Sequence, residues 1–263
     1  MDNIVIEKND PQSQFEHGIA CLFGEGVPVN IPGGIQLMKN AAEKGHVKAQ
    51  FNLGMFYQHG MNVVKNLSDA FQWYFMAADQ DFELAQLNLG SLLEEGLTEK
   101  PDYQEALKWY KLAADKGNSI AQFNIGNLYM DGRGVSQDFN TAFQWYSKAA
   151  EKNHPQALFN LGFMYDNGKG VIQNFDKAAF YYLAAAEAGV IEAFLNLGVL
   201  HFEGKGIEAN PKEAYKWYHI ALLSGFGEVA AKNRQLAAAH MKFDEISQMQ
   251  SQAREWLKLH KKR

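Results

Sequence analysis

Eight histidines, at positions 17, 46, 59, 154, 201, 219, 240 and 260, and a single cysteine, Cys21, offer this 263-residue chain its best scope for metal or nucleophilic chemistry. None of the histidines falls at a metal-ligand spacing of the HExxH kind. His201 occupies a column that elsewhere holds tyrosine, which points to a packed side chain rather than a ligand. With one cysteine no intrachain disulfide forms, and no serine or cysteine has a recognisable companion base. Gly-x-Gly occurs at 24/26, 132/134, 168/170 and 204/206. A phosphate loop would need a following Lys-Ser or Lys-Thr and a preceding strand; here the pattern follows a helical stretch, so an interhelical turn accounts for it. Carboxylates are plentiful but scattered by a repeat rule. The expectation is no catalytic residue, no metal and no cofactor.

The elements behind that rule are set by six glycines spaced 36 residues apart: Gly18, Gly54, Gly90, Gly126, Gly162 and Gly198. A fixed period in this range marks stacked supersecondary units that cannot bury their apolar faces alone. Two residues before the glycine stands Asn52, Asn88, Asn124, Asn160 or Asn196, and six after it a second glycine, from Gly24 to Gly204. Further on come small residues (Gly34, Ala70, Ala106, Ala142, Ala178, Ala214), then aromatic pairs (Trp73-Tyr74, Trp109-Tyr110, Trp145-Tyr146, Tyr181-Tyr182, Trp217-Tyr218). Ala121, Ile125, Leu128 and Tyr129 recur at helical spacing, and a second stripe runs Phe139, Ala142, Phe143, Tyr146, Ala149, Ala150. Each unit therefore reads as two helices. The first spans roughly seven residues before the glycine to five after it, the second about thirteen to twenty-six after it. Pro11 and Pro155 fall at a helix start, which proline suits. The alanine and glycine columns are expected where helices approach closely, and the Trp/Tyr column between hairpins.

In repeat four the text from Ala121 to Asn153 is AQFNIGNLYMDGRGVSQDFNTAFQWYSKAAEKN. This pattern resembles the Sel-one-like repeat (SLR), a relative of the tetratricopeptide repeat, over about residues 12–227. Leu37-Met38 replaces the aromatic pair in repeat one, Asn62 a glycine in repeat two, and Gly96-Leu97-Thr98-Glu99 alters the turn in repeat three. The resemblance implies an all-α, right-handed α/α solenoid (superhelix) of six 36-residue helix-turn-helix repeats with a C-terminal helical cap. The corresponding domains are 1–10 as a flexible N-terminus, 11–227 as six repeats, and 228–263 as capping helices with a basic tail. Val229, Leu236 and Met241, then Phe243, Ile246, Met249, Trp256 and Leu257, are read as the cap's apolar stripe, on helices over 228–241 and 243–260.

Composition narrows the function classes. The chain carries −5 overall, but residues 250–263 carry +4, leaving −9 on the rest. An acidic body repels phosphates, so no nucleic acid partner is expected. Arg254, Lys258, Lys261, Lys262 and Arg263 suit a solvated helix C-terminus. The start, MDNIVIEKNDPQ, lacks a signal peptide's basic region, and no apolar run reaches 18 residues, so no membrane span is expected. A cytoplasmic protein, or a secreted effector, is the expectation. Cys21, in the column of Tyr57, Tyr129 and Tyr165, reads as a small core filler.

By resemblance the first helix of each repeat lines a concave surface, where a partner segment would bind. Three residues before the glycine that face offers Phe51, Phe123 and Phe159, a column regular enough to be half structural. One after it stand Met55, Asn127 and Phe163; four and five after it stand Glu94-Glu95, Met130-Asp131, Asp166 and Phe202-Glu203. This predicts an apolar groove, richest in repeats five and six, with an acidic strip through Glu94, Glu95, Asp131, Asp166 and Glu203. The partner is expected to be a protein or peptide with apolar anchors and nearby basic residues. The carboxylate-clamp arrangement of some tetratricopeptide repeats needs a basic groove, and only His59 is basic at these positions. The asparagine column has two readings, capping structure or binding a peptide backbone. The expected function is a non-catalytic protein-interaction scaffold or adaptor. By resemblance it belongs to bacterial signalling, envelope, secretion or host-interaction assemblies; the alternatives are an immunity protein covering a toxin, or a β-lactam-type hydrolase.

Overall fold

A computed structural model describes residues 10–96 and 100–260. Most of the expected flexible N-terminus, the altered turn at 97–99 and the tail residues Lys261, Lys262 and Arg263 lie outside the described residues. Among those described there is no strand, and the helices follow the expected period. They are α1 (Pro11–Phe23), α2 (Ile31–Glu43), α3 (Val47–His59), α4 (Leu67–Asp79), α5 (Glu83–Glu95), α6 (Tyr103–Asp115), α7 (Ser119–Asp131), α8 (Phe139–Ala150), α9 (Pro155–Asn167), α10 (Phe175–Glu187), α11 (Ile191–Glu203), α12 (Pro211–Leu223), α13 (Gly227–Ala238) and α14 (Phe243–His260). The chain forms two compact units. One holds the described residues up to Ala121 together with Arg133–Val135, the other Gln122–Gly132 and the described residues from Ser136 onward. In the first, α1 pairs with α2, α3 with α4 and α5 with α6, and neighbouring hairpins meet through α2 on α3 and α4 on α5. In the second, α8 packs on α9, α9 on α10, α10 on α11, α11 on α12, and α12 on both α13 and α14.

Sequence signals set the helix ends. Pro11 and Pro155 do occupy the first helical turn, as does Pro211. The second helix of every repeat is capped by an Asn or Asp side chain accepting from backbone N–H groups at Asn30, Asn66, Asp102, Asp138, Asn174 and Asn210. Such acceptors satisfy donors that a helix start leaves unpaired, each stabilising by about 1 kcal/mol. This column also repeats every 36 residues.

Inside each hairpin the second residue of the aromatic pair lies flat on the anchor glycine. Tyr74, Tyr110, Tyr146 and Tyr182 are fully buried. A Cβ added to Gly54, Gly90, Gly126 or Gly162 would stand 2.5–2.7 Å from the matching ring. Gly198 is held the same way by Tyr218. In repeat one Met38, also fully buried, fills the tyrosine's place over Gly18. The tyrosines are therefore packed within hairpins, while Trp73, Trp109 and Trp145 remain half-buried.

The Gly-x-Gly turns join one hairpin to the next. The first glycine ends the helix in the left-handed conformation, at Gly24, Gly60, Gly168 and Gly204. The second meets backbone: a Cβ on Gly170 would come within 2.5 Å of the Phe139 carbonyl, and one on Gly206 within 2.3 Å of Phe175. Gly134 meets Tyr103 in the same manner. In repeat two Asn62 takes that place at φ 61°, a conformation asparagine tolerates better than most residues.

The last helix pair departs from the sequence reading. The first of its helices stops at Ala238 rather than 241. Val229 and Leu236 are 55% and 52% exposed and Phe243 is 89% exposed, whereas Ala230, Ala237, Met249 and Ala253 are buried. The inward face is rotated by one residue, because Ala230 and Ala237 share a helical face just as Val229 and Leu236 do. The small residues let α13 come close to α12, and the bulky ones are left outside. Ile246, Trp256 and Leu257 are half-buried as expected, with Trp256 against Phe194 and Trp217 at ring separations of 5.2 and 5.5 Å. Cys21 is a buried filler, its sulfur 3.8 Å from His17 Nε2.

The packing makes the sign of two substitutions or pH effects testable. Replacing a helical glycine by alanine ordinarily stabilises by about 1 kcal/mol. At Gly126 the Tyr146 ring reverses the sign, and urea denaturation of Gly126→Ala should show a net loss of roughly 1–3 kcal/mol. Secondly, burial holds His201 and His219 below the usual imidazole range, the latter also because Arg234 and Arg254 repel its charged form. His201 Nδ1 and His219 Nε2 are buried with no hydrogen-bond partner among the described residues. The unfolded chain takes up protons near pH 6.5 that the folded chain refuses, so stability is lost as pH falls from about 6.5 toward the lower folded values. Thermal melting at pH 7.5 and 5.5 should show the acid decrease, and a smaller one in His201→Tyr; equal decreases would contradict it.

Candidate functional site

A tyrosine ring buried on a glycine brings its hydroxyl with it, and a buried hydroxyl needs a partner. The first helix of the same repeat supplies one. Tyr74 donates to Gln58 Oε1 at 2.7 Å, Tyr110 to Glu94 Oε2 at 2.8 Å, Tyr146 to Asn127 Oδ1 at 2.7 Å and Tyr182 to Asp166 Oδ2 at 3.2 Å. Burial pushes the Tyr74 phenol up to about 12 and Tyr182 higher still, so both remain neutral donors. Burial likewise raises the Asp166 carboxyl above its usual range; the Tyr182 hydroxyl and Lys205 only partly offset this. Three expected binding residues, Glu94, Asn127 and Asp166, are thus first of all acceptors for the tyrosine column.

The asparagine column is used similarly. Asn88 Nδ2 donates to the Tyr74 hydroxyl of the preceding repeat at 3.3 Å, and Asn196 hydrogen-bonds the Tyr182 hydroxyl. At these two positions the amide serves packing, though not by capping backbone in the adjacent turn: it ties a hairpin to the tyrosine before it.

The phenylalanines three residues before the glycine lean on the same rings. Phe51 lies 5.8 Å from Tyr74 and 5.3 Å from Phe82, Phe123 5.7 Å from Tyr146 and stacked on His154 at 4.6 Å, and Phe159 5.6 Å from Tyr182. All three are half-buried. Met55, Met130 and Phe163 are half-buried too, each against the core of its own unit. Phe202 packs toward the closing helices, 5.9 Å from the His240 ring, so the expected groove in repeat six is partly covered. Five residues after the glycine, Glu95, Asp131 and Glu203 are exposed.

Sequence reasoning missed a column of cations seven residues after the glycine. Arg133 lies 5.5 Å from the Tyr103 ring centre, Lys169 5.4 Å from Phe139 and 5.1 Å from Phe163, and Lys205 5.6 Å from Phe175. Each uses an aromatic at the start of the previous repeat's second helix, a cation–π contact typically contributing about 0.5–1 kcal/mol when exposed. Arg133 also reaches back to Glu94 at 2.7 Å, a half-buried pair, and Lys205 pairs with Glu203 at 2.7 Å. The expected acidic strip is therefore interleaved with bases: Glu94 is neutralised by Arg133, and Glu203 shares its surface with Lys205. The signal was present in the sequence as a basic column paired with an aromatic one. Among the described residues, no three His, Cys, Asp or Glu side chains cluster to hold a metal ion, and no helix is long and apolar enough to cross a membrane.

The Sel1 repeat family model matches residues 11–46, 47–82, 84–118, 119–154, 155–190 and 191–226, the same units that the glycine period defines. No curated protein matches the sequence. Among solved structures, a Sel1 repeat protein from Oxalobacter formigenes is 36% identical, with a TM-score of 0.69 over 81% of this chain and 86% of that one. A protective antigen of uropathogenic Escherichia coli displaying an SLR fold is 25% identical, with a TM-score of 0.62 over 97% of this chain; the match spans only 62% of that protein's length. An immunity protein from Pseudomonas aeruginosa is 21% identical over 93% of this chain and 83% of that one, with a TM-score of 0.45, too distant to inform function. With six matched repeats occupying most of its length, the chain belongs to the Sel1 repeat family.

Proposed function

We propose that the chain is a non-catalytic protein-interaction scaffold that binds a partner segment along the exposed face of its first helices. The observation carrying this reading is a division of labour between columns. The residues three before, one after and four after the glycine are largely taken up by tyrosine packing and hydroxyl bonding. Glu95, Asp131 and Glu203, five after it, are exposed, Glu203 beside Lys205. They stand near the negative end of the helix dipole, where a carboxylate is unfavourable by a few tenths of a kcal/mol or more, so helix stability does not account for them. Half-buried Met55 adds apolar surface in the first unit, and Met130, Phe163 and Phe202 do so in the second. A segment with aliphatic or aromatic anchors and Lys or Arg at intervals fits the groups that each unit offers. Residues 228–260 act as the closing cap. Bacterial signalling, envelope, secretion or host-interaction assemblies are the setting this reading favours.

Charge reversal at Glu95, Asp131 and Glu203 tests the reading without touching the core. A partner isolated with the full chain and then purified should bind the triple Lys variant at least about tenfold more weakly, since its rim cations lose their counter-charges. Circular dichroism should be unchanged. Undiminished binding would move the site elsewhere. Turnover of a reactive ester or lactam by the purified chain, abolished by a single substitution, would contradict the non-catalytic part.

A further inference from the structure

A second face of the second unit carries surface that the scaffold reading does not use. On α10 the residues Asp176, Phe180, Leu183 and Glu187 stand at i, i+4, i+7 and i+11, one stripe along the helix. All four are exposed, Phe180 at 66% and Leu183 at 40%. Asp176, Phe180 and Leu183 border a groove of about 440 Å³ whose other side is formed by Glu213 and Trp217 of α12, over Leu197 and His201 of α11; Glu187 continues the stripe beyond it. On α11, Leu197 and His201 share a face turned away from Val199 and Glu203, so this groove is separate from the one proposed above.

The stripe has an apolar centre and a carboxylate at either end. Neither Asp176 nor Glu187 has an ion-pair partner among the described residues. Lys216 is engaged with Glu213, Lys205 with Glu203, and Lys177 lies over the Tyr165 ring at 5.0 Å. His201, kept neutral by burial, adds no positive charge to the groove at neutral pH. Exposing a phenylalanine to this degree costs transfer free energy that docking would recover.

We infer that the α10–α12 groove is a docking site for a basic amphipathic helix, whose apolar residues cover Phe180 and Leu183 while cations one stripe-length apart meet Asp176 and Glu187. Three turns of helix span that stripe. The recognition is helix-in-groove, with the acids fixing register and orientation.

The test uses the full chain and an alanine-based helical peptide carrying Lys, Leu, Leu and Lys at the same i, i+4, i+7, i+11 spacing. A second peptide has Glu in place of both lysines. Fluorescence anisotropy should show saturable binding of the Lys peptide and about tenfold or greater weakening in Phe180→Ala. The Asp176→Lys/Glu187→Lys chain should prefer the Glu peptide, while Glu203→Lys leaves binding unchanged. Equal binding of both peptides by the native chain, no binding of either, or indifference to Phe180→Ala overturns the proposal. Sedimentation distinguishes a second copy as occupant: self-association abolished by Phe180→Asp, without peptide binding, would assign the groove to a homomeric contact instead.

Discussion

A phenol ring resting on a glycine is the contact on which the rest of the structure depends. It lets two helices approach until no side chain fits between backbone and ring, and it is made in five repeats by tyrosine and in the first by Met38. Burying a large ring against bare backbone gains apolar contact, but it carries a hydroxyl into the interior. That hydroxyl must be satisfied, and the helix opposite answers with Gln58, Glu94, Asn127 or Asp166. One packing decision therefore determines the chemistry of two further positions.

Between hairpins the joints combine steric fit with charge. The second glycine of each complete Gly-x-Gly turn in repeats four to six presses on the start of the previous repeat's second helix, and the basic residue between the two glycines covers the aromatic there. In repeat four the same arginine also reaches Glu94, which already holds the Tyr110 hydroxyl. Such a joint links neighbours only, in keeping with the nearest-neighbour stability of repeat proteins. It also removes charge from a surface that looked uniformly acidic. What remains exposed is a sparse set of groups on two faces, and the proposed partner recognition lies there, where it leaves the stack undisturbed.

Much of the fold was legible because its constraints recur every 36 residues: a period survives substitution at single sites. The helix limits, the proline starts and the burial of Ala121, Ile125 and Leu128 followed from it. The last helix pair was harder to read, since the period lapses there and hydrophobicity alone favoured Val229 and Leu236 over the alanines beside them. Close approach, rather than apolar character, decided that face. The site was less legible than the fold. Glu94 and Asp166 were recognisable as members of an acidic strip, but their partners lie 16 residues away in the next helix. The Arg133–Glu94 pair spans 39 residues and crosses a repeat boundary, so only a comparison between columns of adjacent repeats reveals it.

The ring-on-glycine contact can be isolated by a double-mutant cycle on Gly126 and Tyr146, using Tyr146→Met because repeat one already tolerates methionine over its glycine. If the ring is what forbids a side chain at position 126, Gly126→Ala should cost markedly less in the Tyr146→Met background. The coupling energy should then be about 1–2 kcal/mol, measured by urea unfolding. Additive effects, with the alanine equally costly whether or not the ring is present, would contradict the account.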